Sequence, residues 1–71
     1  MERKKISSSS IRSVGYDERG QLLEVEFNDG RINQYSGVSP EVHRRLMNSP
    51  SIVSYFRDHV EEAFAAKRVK G

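Results

Sequence analysis

The sequence predicts an α+β fold: a three-stranded antiparallel β-meander followed by two α-helices packed on one of its faces. Three observations carry this reading. Leu23, Val25 and Phe27 alternate with Glu24 and Glu26, the period of a strand with one buried and one wet face. Asp17-Glu18-Arg19-Gly20 and Asn28-Asp29-Gly30 place turn residues on either side of that strand. Beyond them, Ile52, Tyr55, Phe56, His59, Val60, Ala63 and Phe64 recur at helical steps. With 71 residues the chain makes a single domain, of a size that hides only ~60% of the surface its unfolded form exposes. Six aromatic rings, Tyr16, Phe27, Tyr35, Tyr55, Phe56 and Phe64, therefore carry much of the burial, roughly 150–250 Å² each.

Residues 1–10 are charged, then serine-rich, and read as a flexible polar lead-in with Ile6 as its candidate for burial. Residues 11–66 read as the domain, and residues 67–71 as a basic C-terminal tail. The first strand, Ile11 to Tyr16, is rich in β-formers but does not alternate strictly. The second hairpin allows two registers. A two-residue Asp29-Gly30 turn puts Ile32 and Gln34 on the face of Phe27; a three-residue loop with a glycine bulge puts Arg31, Asn33 and Tyr35 there. Ser39 then caps a short helix with Pro40 at its first position and Glu41 near the positive end of the dipole. Val42, Leu46 and Met47 form its apolar face, and Asn48-Ser49-Pro50 ends it. Ser49 or Ser51 caps the last helix, whose far side carries Ser54, Arg57, Asp58, Glu61 and Glu62 and which Ala65-Ala66 extend. The expected core is Val14 or Ile11, Leu23, Val25, Phe27, Tyr35, Val42, Leu46, Ile52, Tyr55, Phe56, Val60 and Phe64.

The net charge of +2 is unevenly spread. Arg3, Lys4 and Lys5 against Glu2 give the first five residues +2, and Lys67, Arg68 and Lys70 give the last five +3. Between them six basic groups face nine acidic ones, so the body is −3. Without cysteine there is neither a disulfide framework nor a thiolate metal site, which fits a reducing, cytoplasmic address. No apolar run reaches the ~18 residues of a membrane span, and the first ten residues lack a signal peptide's apolar centre.

The ordered series of motifs resembles the KTSC domain family, small domains found alone and at the C-terminus of some lysyl-tRNA synthetases. The resemblance runs from about Ser9 to Phe64. Ser9-Ser10-Ile11, Val14-Gly15-Tyr16-Asp17 and Leu23-Glu24-Val25-Glu26-Phe27 carry its first half; Gly30, Tyr35, Val38, Leu46, Ser51, Tyr55-Phe56, Val60 and Phe64 carry its second. The family's aromatic two residues before Tyr35, on the same face, implies the bulged register with Tyr35 toward the core. Asn33 stands where that aromatic is expected, Val53 replaces a usual glycine, Arg57 a usual asparagine, and Glu61 a frequent basic residue. The resemblance implies a fold without established catalysis, and RNA or a protein as the kind of partner.

The residues themselves point away from an enzyme. His43 and His59 have no metal-ligand spacing, and His59 lies on the helical stripe as a partly buried histidine. The serines lack a nucleophile elbow and read as caps and turns. Glu24 and Glu26, roughly 7 Å apart along one strand face, read as a solvated pair, since nothing nearby splits their pKa values. The expectation is a non-enzymatic accessory module with no cofactor and no evident small-molecule substrate. Two modes of action stay open: RNA contact through Arg44, Arg45, Arg57, Lys67, Arg68 and Lys70, or protein contact through an open strand edge or the uncovered sheet face bearing Leu22 and Ile32.

Overall fold

The computed structural model describes residues 3–6, 8 and 10–70. Its sheet has five strands in sequence order, all antiparallel: β1 Arg3–Lys5, β2 Ile11–Asp17, β3 Leu22–Phe27, β4 Ile32–Tyr35 and β5 Ala66–Lys70. The expected meander of three is β2 to β4, and the two basic ends add an edge strand on each side of it. Arg3–Lys5, expected to be part of a flexible lead-in, pairs with Ser13–Gly15 of β2. Ala66, expected to extend a helix, instead begins β5 opposite Tyr35, and the tail follows β4 back as far as Ile32 opposite Lys70. Both edges are dominated by lysine and arginine, which discourage a further strand from adding to them.

The imperfect alternation of the first strand has a local cause. Ile11 faces Phe27 while Ser13 faces Glu26, so Arg12 is an extra residue, and this bulge brings both Ile11 and Val14 to the covered face. The first turn rests on Asp17, whose Oδ1 accepts from the Arg19 and Gly20 amides; the left-handed residue there is Gln21, at φ 51°. The second hairpin takes the three-residue loop. Arg31 O accepts from the Phe27 amide at 2.8 Å, Gly30 adopts φ 96°, and Val25 faces Asn33 while Leu23 faces Tyr35.

Two helical segments cover one face of the sheet. In α1, Pro40–Asn48, the Ser39 hydroxyl accepts from the Val42 amide and Arg45 pairs with Glu41 at 2.7 Å. The second begins as α2, Ile52–Tyr55, capped by Ser51, and widens into a π-helix over Phe56–Glu61. This wider turn redirects the expected stripe. Phe56 and Val60 point inward and are buried, Ile52, Tyr55 and Phe64 are half-buried, and His59 and Ala63, expected on the covered side, are exposed. Ile11, Val14, Leu23, Val25, Tyr35, Val38, Leu46, Phe56 and Val60 form one buried cluster, with Val38 a member that its position in a connection conceals. Phe56 is its hub among the rings, edge-on to Phe27 at 5.9 Å and to Tyr35 at 5.3 Å. Among the described residues, no helix is long and apolar enough to cross a membrane.

Candidate nucleic-acid interface

The uncovered face of the sheet is a polar network rather than an apolar patch. Arg3 on β1 reaches across β2 to Glu24 (Nε to Oε1, 3.0 Å) and Glu26 (Nη1 to Oε1, 3.6 Å). Gln34 donates to Glu24 at 3.0 Å and the Ser13 hydroxyl to Glu26 at 2.9 Å. The two carboxylates are thus tied down by neighbours, and Glu24 is only 8% exposed. Ile32, expected to be offered to a protein partner, is 7% exposed, and Leu22 beside Asp17 is half-buried. The apolar surface expected on this side is therefore not presented: cross-strand neighbours and a fifth strand enclose it.

On the other face, α1 borders one concavity and the π-helical segment a second, separate one. The α1 concavity is lined by His43 and Met47 together with Arg3, Lys4 and Tyr16. Tyr16 donates its hydroxyl to Val38 O at 2.6 Å and stacks on His43, with centroids 4.5 Å apart and rings 6° from parallel. Burial pushes the His43 pKa below its ordinary value; burial, followed by Glu18 and Asp17, pushes Tyr16 up. Arg44 and Arg45 are exposed on this helix, with Arg45 engaged by Glu41. The six cations proposed from the sequence therefore do not form one stripe. β1 and β5 are also four strand spacings apart, roughly 19 Å.

The second concavity, about 350 Å³, lies where the π-helical segment crosses the end of the β3–β4 hairpin. Arg57 and Glu61 reach it from the helix, Arg31 and Asn33 from β4 and its turn, and Phe27 and Phe56 form its apolar wall. Arg31 is held in place, with its Nε 2.8 Å from Asp29 and its guanidinium 5.1 Å from the Phe27 ring centroid. The backbone amide of Arg31 holds the Asp29 carboxyl below its usual range. Arg57 and Glu61 are exposed, and neither pairs with an opposite charge among the described residues. Asn33 directs its amide NH2 to Tyr35 Oη at 3.5 Å, which leaves its Oδ1 buried and without a partner among the described residues. Tyr35 is pushed above its ordinary pKa mainly by burial, with Glu61 adding to the rise and the Asn33 bond and Arg31 opposing it. On β5, Arg68 stands opposite Asn33 and Lys67 opposite Gln34, both exposed.

Of the residues proposed for RNA contact, this end of the molecule brings together Arg57 and the strand carrying Lys67, Arg68 and Lys70. Arg31, Asn33 and Glu61 were not singled out as ligand contacts, although a legible signal existed: the bulged register assigns two polar side chains, Arg31 and Asn33, to the covered face. Asn33, Val53, Arg57 and Glu61, the four positions at which the sequence resemblance implies other residues, all line this concavity. By contrast, the shared motif residues hold the fold. Asp17 and Gly30 make turns, Ser51 caps a helix, Tyr16 ties β2 to Val38, Phe27, Tyr35 and Phe56 pack together, and the Tyr55 ring lies 4.6 Å from that of His59.

Comparison with known proteins agrees with this fold. Residues 7–64 match the KTSC domain family, and the chain belongs to it. It is 45% identical over 56 residues to an uncharacterized protein of Stutzerimonas stutzeri, covering 79% of each chain. It is 32% identical over 60 residues to a lysine–tRNA ligase of Nostoc punctiforme, covering 84% of this chain and 11% of the ligase. The crystal structure of a KTSC domain protein from Yersinia pestis superposes with a TM-score of 0.90 at 32% identity, covering 96% of both chains.

Proposed function

We propose that the protein is a non-enzymatic cytoplasmic accessory module that associates with RNA through its β5 edge and the neighbouring mouth of the second concavity. The observation that carries this reading is the set of exposed cations there, Arg57, Lys67 and Arg68, which meet no carboxylate within ion-pair distance among the described residues. Cations left unpaired on a strand edge are suited to backbone phosphates, which supply most sequence-independent affinity for nucleic acid. A related domain forming 11% of a lysine–tRNA ligase supports an RNA context. Ile32 is buried and the edges are rich in lysine and arginine, so the alternative of an apolar sheet face or open edge for a protein partner draws no support from this geometry.

Titration of a fluorescent single-stranded RNA at several salt concentrations tests the reading. Log K is expected to fall by ~0.7 per phosphate contact per decade of salt. Absence of binding at low salt would refute it.

A further inference from the structure

We infer that the concavity between the π-helical segment and the β3–β4 hairpin receives one unpaired nucleotide whose base carries an exocyclic amine, with that amine on Asn33 Oδ1 and the phosphate at Arg57. This rests on the RNA reading above and specifies what part of the RNA is held and by which groups.

The Asn33 amide sets the polarity of the site. Its NH2 is directed at Tyr35 Oη, so the group left over is an acceptor, and it is buried. Buried acceptors in folded proteins are almost always satisfied, so a ligand entering here gains by bringing a donor. The wall beside it combines the Phe27 ring and the 3%-exposed Phe56, set edge-on to each other, with the Arg31 guanidinium over Phe27, so apolar edges and a planar cation meet an entering ring. At about 350 Å³ the space matches one base with its sugar and is too small for a stack of bases.

The mouth supplies the remaining contacts. Arg57 has no carboxylate partner among the described residues, although Glu61 follows it by four positions and lines the same concavity. In α1 the corresponding spacing, Glu41 to Arg45, closes into a 2.7 Å pair. The π-helix and the reversed order of charges keep Arg57 and Glu61 apart, one able to meet a phosphate and the other to accept from a ribose 2′-hydroxyl, the group that distinguishes RNA from DNA. Arg68, opposite Asn33 in the β4–β5 ladder, continues the cationic path along the strand for the next phosphate.

Cytidine and uridine differ at the position that decides this proposal, an amine in one and a carbonyl in the other. Chemical-shift titration of the full chain with CMP and with UMP is expected to move the Asn33, Tyr35 and Arg57 amides and to show CMP bound about three- to tenfold more tightly. Asn33→Leu, which places an apolar side chain against an apolar wall, is expected to fold and to abolish the preference; Arg57→Gln is expected to weaken both nucleotides alike. Equal affinity for CMP and UMP, or shifts confined to other residues, would overturn the proposal. Salt-dependent oligonucleotide binding without the CMP preference would remove this site and leave the RNA reading standing. CMP capture by a chain that ignores oligonucleotides at low salt would support the nucleotide site and remove the RNA reading.

Discussion

The two basic ends of the chain become the two edges of one sheet, yet they do different work because of what stands across the ladder from each. β1 lies beside β2, beyond which β3 offers Glu24 and Glu26 on the open face, and Arg3 is drawn onto both, leaving its side chain 33% exposed. β5 lies beside Ile32, Asn33, Gln34 and Tyr35, none of them acidic, and its Lys67 and Arg68 stay exposed. Near-identical composition thus yields an arginine clamped onto two carboxylates at the β1 edge, where Lys4 and Lys5 stay exposed, and an edge without such a clamp at β5. Charge counted along the sequence cannot separate these roles; the strand order does.

Both edges hang on one core, so the largest effect is expected where it is shared. Phe56→Ala should cost about 3–5 kcal/mol in urea unfolding and reduce hydrogen-exchange protection in β1 and β5 together. Loss of protection at one edge alone would mean that the edges do not depend on a common cluster. Next comes the clamp. Arg3→Ala leaves the nearly buried Glu24 with Gln34 as its remaining partner, and should cost about 1–3 kcal/mol. Arg68→Ala should stay within about 0.5 kcal/mol of the wild type. Matching losses of thermal stability in these two variants would erase the distinction between the edges.

The smallest effect concerns the stack beside β1. Burial lowers the folded-state pKa of His43 below its unfolded value of 6.5, so the neutral ring is the form the fold favours. Its contribution is complete above that value and is lost as pH falls through the folded pKa, because the unfolded chain takes up the proton first. Thermal melts from pH 7 to 5 should therefore show the wild type losing more stability than His43→Phe, which keeps an aromatic ring against Tyr16. Parallel melting curves for the two proteins across that range would contradict burial of the neutral ring.

The parts of the fold that were legible in the sequence are those in which local chemistry and tertiary packing agree. The alternation of β3, the Asn28-Asp29-Gly30 turn, and the Ser39-Pro40 start of α1 all state their structure within a few residues. β1 and β5 were not legible, because strands reading RKK and AKRVK have no apolar alternation and are stabilised by ladder hydrogen bonds and, for Arg3, by distant carboxylates. The π-helix was hidden for a different reason: apolar residues at positions 56, 60 and 64 fit an α-helical stripe, and only the exposed His59 and Ala63 reveal the wider turn. At the candidate site, Arg57 was visible as a surface cation. The concavity was not, since it requires the choice of hairpin register that brings Asn33 under the helix and the strand order that sets Arg68 beside it.

The measurement that bears most directly on the central claim, that the β5 edge rather than the β1 edge meets RNA, is a salt titration of single-stranded RNA binding to two charge-neutralised variants. Lys67→Gln/Arg68→Gln should reduce the slope of log K against log salt by ~1.4, the loss of two phosphate contacts, while Lys4→Gln/Lys5→Gln should leave it within ~0.3 of the wild type. The reverse pattern, with the slope falling only when β1 is neutralised, would contradict the account.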